Sequence, residues 1–173
     1  SDLKQIATGL LMYAEDYDRR LPPTSYAKGS ESVVLPWLLD PYIKDGEVWA
    51  CPTAVKDGAR DHSFDRVPGD ATVSFGYNGA ALAPNRIGLP LDRAKQAEDT
   101  VAFVDAGSYV ATPSSLAPAL GGSVPAYRHT ERANVAWLDG HVTGEAQTKL
   151  EATAESEGGK ALAPGIDRFV FWN

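Results

Sequence analysis

Leu3, Ile6, Leu10, Leu11, Tyr13, Ala14 and Tyr17 recur at steps of three and four. That spacing puts them on one face of an amphipathic helix. Lys4, Gln5, Glu15, Asp16 and Arg19 fall largely on the other side. An apolar stripe of this kind needs a second layer to cover it. Pro22 and Pro23 disfavour helical geometry in the residue before each, so the helix is expected to stop near Arg20. Its periodicity begins within a few residues of the first position, with only Ser1 or Asp2 as a cap. Two expectations stand side by side: a helix that runs further upstream in the natural protein, and a short helix that opens a complete domain.

The rest of the chain reads as strands broken by loops. Val33–Leu39 is an apolar stretch in which Pro36 suits the first turn of a helix, and Asp45-Gly46 signals a turn. Residues 53–70 are polar and predict a surface loop. Thr72–Asn78 alternates as a strand does, and Thr100–Val104 is a β-branched and aromatic run ending at Asp105. Residues 80–99 predict loop with a turn of helix near Asp92–Ala97, and 107–123 predict a long loop. Asn134–Leu138, Asp139-Gly140 and His141–Thr143 form the strongest hairpin signal, because Asp-Gly suits a two-residue type I′ turn. That turn would set Leu138 opposite His141. Val124–His129 is expected to pair beside the hairpin, residues 145–157 to form a short polar helix, and Arg168–Asn173 to form a last strand. Parallel βαβ alternation is absent, so the pattern predicts an α+β domain: one N-terminal helix on an antiparallel sheet with long loops.

Composition narrows the function. The 173 residues carry a net charge of −7, which repels nucleic acid and anionic lipid. Hydrophobic residues at 43% and charged residues at 23% give globular balance and argue against disorder. No window reaches the roughly 18 apolar residues of a membrane span. Cys51 is the single cysteine, so an internal disulfide, a four-cysteine zinc site and a Cys-x-x-Cys pair are all excluded. It reads either as a small buried residue or as a reactive thiol.

Candidate chemistry is sparse. His129 and His141 lie near the same hairpin with Asp139 at its turn, and imidazole and carboxylate suit zinc. The alternative is that Asp139 and Gly140 are turn residues and His129 is structural. Asp105 at a strand end could partner His129 as a base, or simply cap a turn. Asp57, Asp61, Asp65 and Asp70 crowd one loop, but Arg60 and Arg66 interleave and the spacing departs from an EF-hand. Trp37, Trp49, Trp137 and Trp172 could stack on sugars if exposed, or pack in the core. Phosphate-cradling loops, nucleophile elbows and His-Glu-x-x-His are absent.

Four pieces of the chain, in order, resemble one family. Asp2–Asp18 leading to Leu21-Pro22-Pro23 resembles the part of pilin-like proteins just after the membrane half of their first helix. Leu39–Lys44 followed by Val48–Pro52, and Ser74–Asn78, resemble the same group. His129, nine residues, then Asp139-Gly140 resembles the His-x9-Asp-Gly signature of a prepilin-type subfamily, close to type II secretion pseudopilins of the G type. The resemblance implies a pilin-like fold. It implies a basic leader, N-terminal methylation and an upstream apolar helical half. It implies inner-membrane insertion before assembly, with this domain periplasmic or extracellular. The partners it implies are further copies or related subunits in a filament, the assembly machinery and, through the upstream segment, the membrane; nucleic acid is not among them. Calcium in a C-terminal loop belongs to the G type, but its ligands do not map onto residues of this chain, so no cofactor is assigned.

On this reading 1–173 is a single domain: 1–20 the end of the first helix, 21–71 a short helix and loops, and 72–173 the sheet with insertions. The protein is expected to be a non-catalytic filament subunit. Leu3, Ile6, Leu10 and Tyr17 would pack on the sheet, and His129, Asp139 and Gly140 would serve structure. Two alternatives are a ligand- or carbohydrate-binding module on the same scaffold and a metal-dependent hydrolase using His129, Asp139 and His141.

Overall fold

The computed structural model describes residues 2–56, 73–94, 96–111 and 124–150. Helix α1 (Asp2–Asp16) opens the chain. A hairpin follows, β1 (Ser25–Lys28) and β2 (Glu31–Val34), then α2 (Leu35–Ile43) and the short α3 (Pro52–Lys56). The main sheet contains β3 (Phe75–Tyr77), β4 (Val101–Asp105), β5 (Arg132–Trp137) and β6 (Val142–Ala146). Its order is β3-β4-β5-β6, with every pair antiparallel. The molecule is thus a mixed α+β structure with an N-terminal helix and antiparallel sheets. No helix among the described residues is long and apolar enough to cross a membrane.

The stripe does what its period demands. Leu3, Ile6, Ala7, Leu10 and Tyr13 are buried in one cluster with Trp49, Tyr77, Ala102, Phe103, Ala136 and Leu138, and Ala14 is buried beside them on the same helix. Burying each large aliphatic side chain there contributes about 1.5–3 kcal/mol. The other face of the sheet buries Val101, Val104, Ala133, Val135, Trp137 and Leu150. A register shift between Val101 and Phe103 explains how two consecutive residues of β4 share one face. The bulge resets the alternation, so Ala102 and Phe103 point toward the helix layer while Val101 and Val104 join the opposite cluster.

Tyr17 departs from the expected stripe. Helix α1 ends at Asp16, four residues before Arg20, and Asp18 and Arg19 take positive φ values of 50° and 57°. Tyr17 N–H still donates to the Tyr13 carbonyl, so its ring keeps the Tyr13 side of the helix, but there it lines a groove with Tyr26, Trp37 and Leu38 and does not enter the core. Tyr17 is 53% exposed and stacks on Tyr13 with ring centroids 4.2 Å apart. The chain beyond is strapped down, with Leu21 N–H donating to the Leu89 carbonyl and Leu91 N–H to that of Arg19.

Other expectations held in part. Pro36 does sit in the first turn of α2, but Val33 and Val34 belong to β2. The β1–β2 hairpin escaped the sequence reading, although Gly29-Ser30 between Tyr26 and Val33 signals it; Gly29 has φ +63°. Strand β3 is shorter than Thr72–Asn78, its three residues are all buried, and 109–111 run along its outer edge. β6 extends to Ala146, and only Gln147–Leu150 are helical in the part of 145–157 that is described. The Asp57–Asp70 loop, His62, Trp172 and the strand expected at Arg168–Asn173 lie outside the described residues.

The helix face generates a direct prediction. Leu10 is 1% exposed and Met12 49%. Leu10→Ala is expected to cost about 2–5 kcal/mol in urea denaturation, whereas Met12→Ala stays within about 0.5 kcal/mol.

Candidate functional site

The Asp139-Gly140 loop differs from the expected two-residue turn. Ala136 pairs with Val142, and Trp137 N–H donates to the His141 carbonyl, so three residues, Leu138, Asp139 and Gly140, close the loop. Gly140 alone of these has positive φ, at +90°. That is the arrangement of a type I turn closed by a glycine bulge. The extra residue sets Trp137, not Leu138, opposite His141, and their rings stack at 5.7 Å. Leu138 instead turns into the helix-side core.

This loop is seated on the helix. Lys4 Nζ donates to the Gly140 carbonyl at 2.6 Å, and Leu138 N–H donates to that of Thr100 at 2.9 Å. Asp139 Oδ1 accepts from the His141 N–H at 3.0 Å and from its Nδ1 at 2.6 Å. Partial burial of the Asp139 carboxyl pushes its pKa up. The backbone N–H and imidazole of His141, with Lys4, outweigh that and hold it below the ordinary carboxylate value. Asp139 and Gly140 therefore act as turn residues, and His141 serves the same loop.

His129 lies at the opposite end of β5. A tight turn holds it: His129 N–H donates to the Arg132 carbonyl and Arg132 N–H donates back, at 3.0 and 3.1 Å. Thr130 and Glu131 between them take φ values of 53° and 61°, the two positive values of a type I′ turn. Val124–His129, expected to pair beside the hairpin, meets β5 only through this turn, and Pro125 bridges instead to Ala106 after β4. Further back, Ala126 N–H donates to the Asp105 carbonyl, so the segment runs along the end of β4. The hairpin separates His129 from Asp139 and His141, and the three do not converge as a hydrolase would require.

His129 converges with other residues. Its Nε2 lies 3.3 Å from Asp105 Oδ2 and 3.5 Å from Cys51 Sγ. Cys51 and Asp105 are buried, and the His129 side chain is 29% exposed. Cys51 is placed by the turn Gly46–Trp49 and by α3, which starts at Pro52. Asp105 closes β4, and its Oδ2 accepts the Asn134 N–H at 2.6 Å. Its Oδ1 is buried with no hydrogen-bond partner. Burial raises the Asp105 pKa above its ordinary value, against the opposing pull of the Asn134 N–H, His129 and Arg128. The sequence pairing of Asp105 with His129 was right in space. Cys51 was missed as their partner, because nothing near it in sequence marks the thiol.

Cysteine, histidine and aspartate together suggest nucleophilic catalysis, but the geometry argues against a relay. In a triad the acid orients one ring nitrogen and the nucleophile meets the other. Here thiol and carboxylate face the same Nε2.

The tryptophans do not form a platform among the described residues. Trp49 and Trp137 are buried, and Trp37 is exposed. Trp37 does join Tyr17, Tyr26, Leu38 and Pro41 along an open groove of about 680 Å³ between the β1–β2 hairpin and α2. Comparison with family models, with characterised proteins and with solved structures returned no match to this chain.

The loop geometry sets its own test. Gly140→Val is expected to destabilise by about 1 kcal/mol or more, since a β-branched residue resists positive φ and a Cβ there would meet Leu11 Cδ1 at 3.2 Å. His141→Ala should be mild at neutral pH. A lowered carboxyl pKa adds stability above the unfolded value and loses it as pH falls through the folded one. His141→Ala should therefore raise the Asp139 pKa in a carboxyl NMR titration and lessen the stability lost on acidification below about pH 4.

Proposed function

We propose that this protein is a non-catalytic, pilin-like subunit of a type II secretion pseudopilus or a related type IV pilus-like filament. The observation that carries the reading is the seating of α1 on the sheet. Leu3, Ile6 and Leu10 are buried with Phe103 and Ala136, while Gln5, Thr8, Met12 and Glu15 remain exposed along the same helix. The helix is half committed to its own domain and half open to neighbours. The four ordered sequence resemblances, ending in His129 and Asp139-Gly140, are what favours the pilin-like family.

In this reading α1 continues upstream into an apolar half. That half lies in the bacterial inner membrane before assembly and bundles with other subunits afterwards. Subunits related by rotation and rise make heterologous contacts and so build an open filament. The sheet and its loops form the outer surface, in the periplasm or beyond the cell. Energy for assembly comes from a separate machine.

A second reading rests on the groove. Tyr17, Tyr26 and Trp37 are all more than 40% exposed, and aromatic faces beside polar Lys28, Glu31 and Ser32 suit a carbohydrate or another flat ligand. Binding of this kind is compatible with a place in a filament.

The deciding experiment is made on the whole gene product in its native host. Removing the codons immediately upstream of Asp2 is expected to abolish filament formation or secretion while the domain stays folded. A gene with no apolar segment upstream of Asp2, or assembly unaffected by its removal, would overturn the proposal.

A further inference from the structure

We infer that Cys51, Asp105 and His129 form a binding site for a borderline-soft divalent cation of the zinc class. The three ligand atoms come from three separate elements and lie within 4.8 Å of one another, and they are the one such group among the described residues. Around a tetrahedral zinc, with bonds of about 2.3 Å to sulfur and about 2.0–2.1 Å to nitrogen and oxygen, adjacent ligand atoms lie about 3.5 Å (S to N) and about 3.3 Å (N to O) apart. The observed separations are 3.5 Å for Cys51 Sγ to His129 Nε2 and 3.3 Å for Nε2 to Asp105 Oδ2.

Hydrogen bonding does not account for both contacts at once. A single Nε2 proton cannot point at both partners, and an N–H···O separation of 3.3 Å lies beyond the usual range of about 2.7–3.2 Å. Asp105 carries a second, independent sign. Its side chain is fully buried, and Oδ1 has no hydrogen-bond partner, which is costly for a carboxylate. A cation bound by that carboxyl would compensate the burial. The Asn134 N–H on Oδ2 orients the group, as outer partners of metal ligands do.

Charge and ligand type select the cation. Cys51 gives up its thiol proton to solvent on binding, His129 offers a neutral Nε2, and Asp105 is ionised. Two negative ligands balance a divalent ion. The Arg128 guanidinium, which donates to the Ala106 carbonyl and acts on Asp105, opposes a cation held by oxygen alone. Thiolate and imidazole favour zinc or cobalt over calcium or magnesium. The partly exposed His129 leaves a side open to water as a fourth ligand. The site bridges the Cys51 loop, β4 and the turn before β5, so the role it fits is a structural clamp. It is independent of the filament reading.

The test is a titration of the reduced chain with Co(II), followed by its thiolate-to-cobalt charge-transfer absorption, then competition with Zn(II). One equivalent is expected to bind with that band, and zinc to displace it and raise the melting temperature. Cys51→Ser should abolish the band, and Cys51→Ser and His129→Gln should each weaken binding at least about tenfold. His141→Ala should leave both unchanged. Circular dichroism identifies variants that fail to fold, and His129→Gln, at a partly exposed position, serves if Cys51→Ser does. A folded, reduced wild-type chain without the band, or Co(II) binding that survives both substitutions, would overturn the inference.

Discussion

The burial of one helical stripe against one face of a four-stranded antiparallel sheet is the contact on which the rest of the structure depends. Leu3, Ile6, Leu10 and Ala14 are almost wholly removed from water, and removal of apolar surface is the main favourable term in folding. The helix reaches the sheet beyond its apolar stripe too. Lys4 ties it to the Gly140 carbonyl, and Tyr42 Oη donates to Asp16, joining α2 to its last turn. The Asp139-Gly140 loop is thereby seated on the helix, and the opposite end of β5 is left for His129.

Legibility in the sequence followed the range of the interactions. The α1 stripe could be read because its period is local and unbroken over four turns. The hairpin around Asp139-Gly140 could be read for the same reason. Its register could not, since one residue more in the loop depends on the positive φ of Gly140 and on what Leu138 packs against. Tyr17 obeys the helical period and stacks on Tyr13, yet its ring lines the groove beside β1, β2 and α2 and stays exposed. Periodicity reports the side of a helix a residue takes, not what covers it.

The nine residues between His129 and Asp139 take on a physical meaning. They span a tight turn, one strand and part of a loop, so the residues at the two ends serve different tasks. Asp139 and Gly140 shape the loop that meets α1, and His129 meets Asp105 and Cys51. The latter group was only partly legible. Asp105 and His129 are marked by a strand end and a turn, but Cys51 joins them from 78 positions before His129. Long-range convergence of this kind has no local pattern.

The account's central claim is that α1 faces its own sheet on one side and neighbouring subunits on the other. Site-directed crosslinking in intact cells tests it most directly. Cysteines placed singly at Thr8 and Met12 in the whole gene product, with Cys51→Ala as background, would be oxidised or bridged by short bifunctional reagents. The account predicts a ladder of covalent oligomers from these positions and none from a cysteine at buried Leu10. Monomer alone from both exposed positions, in cells that assemble their filaments normally, would contradict it.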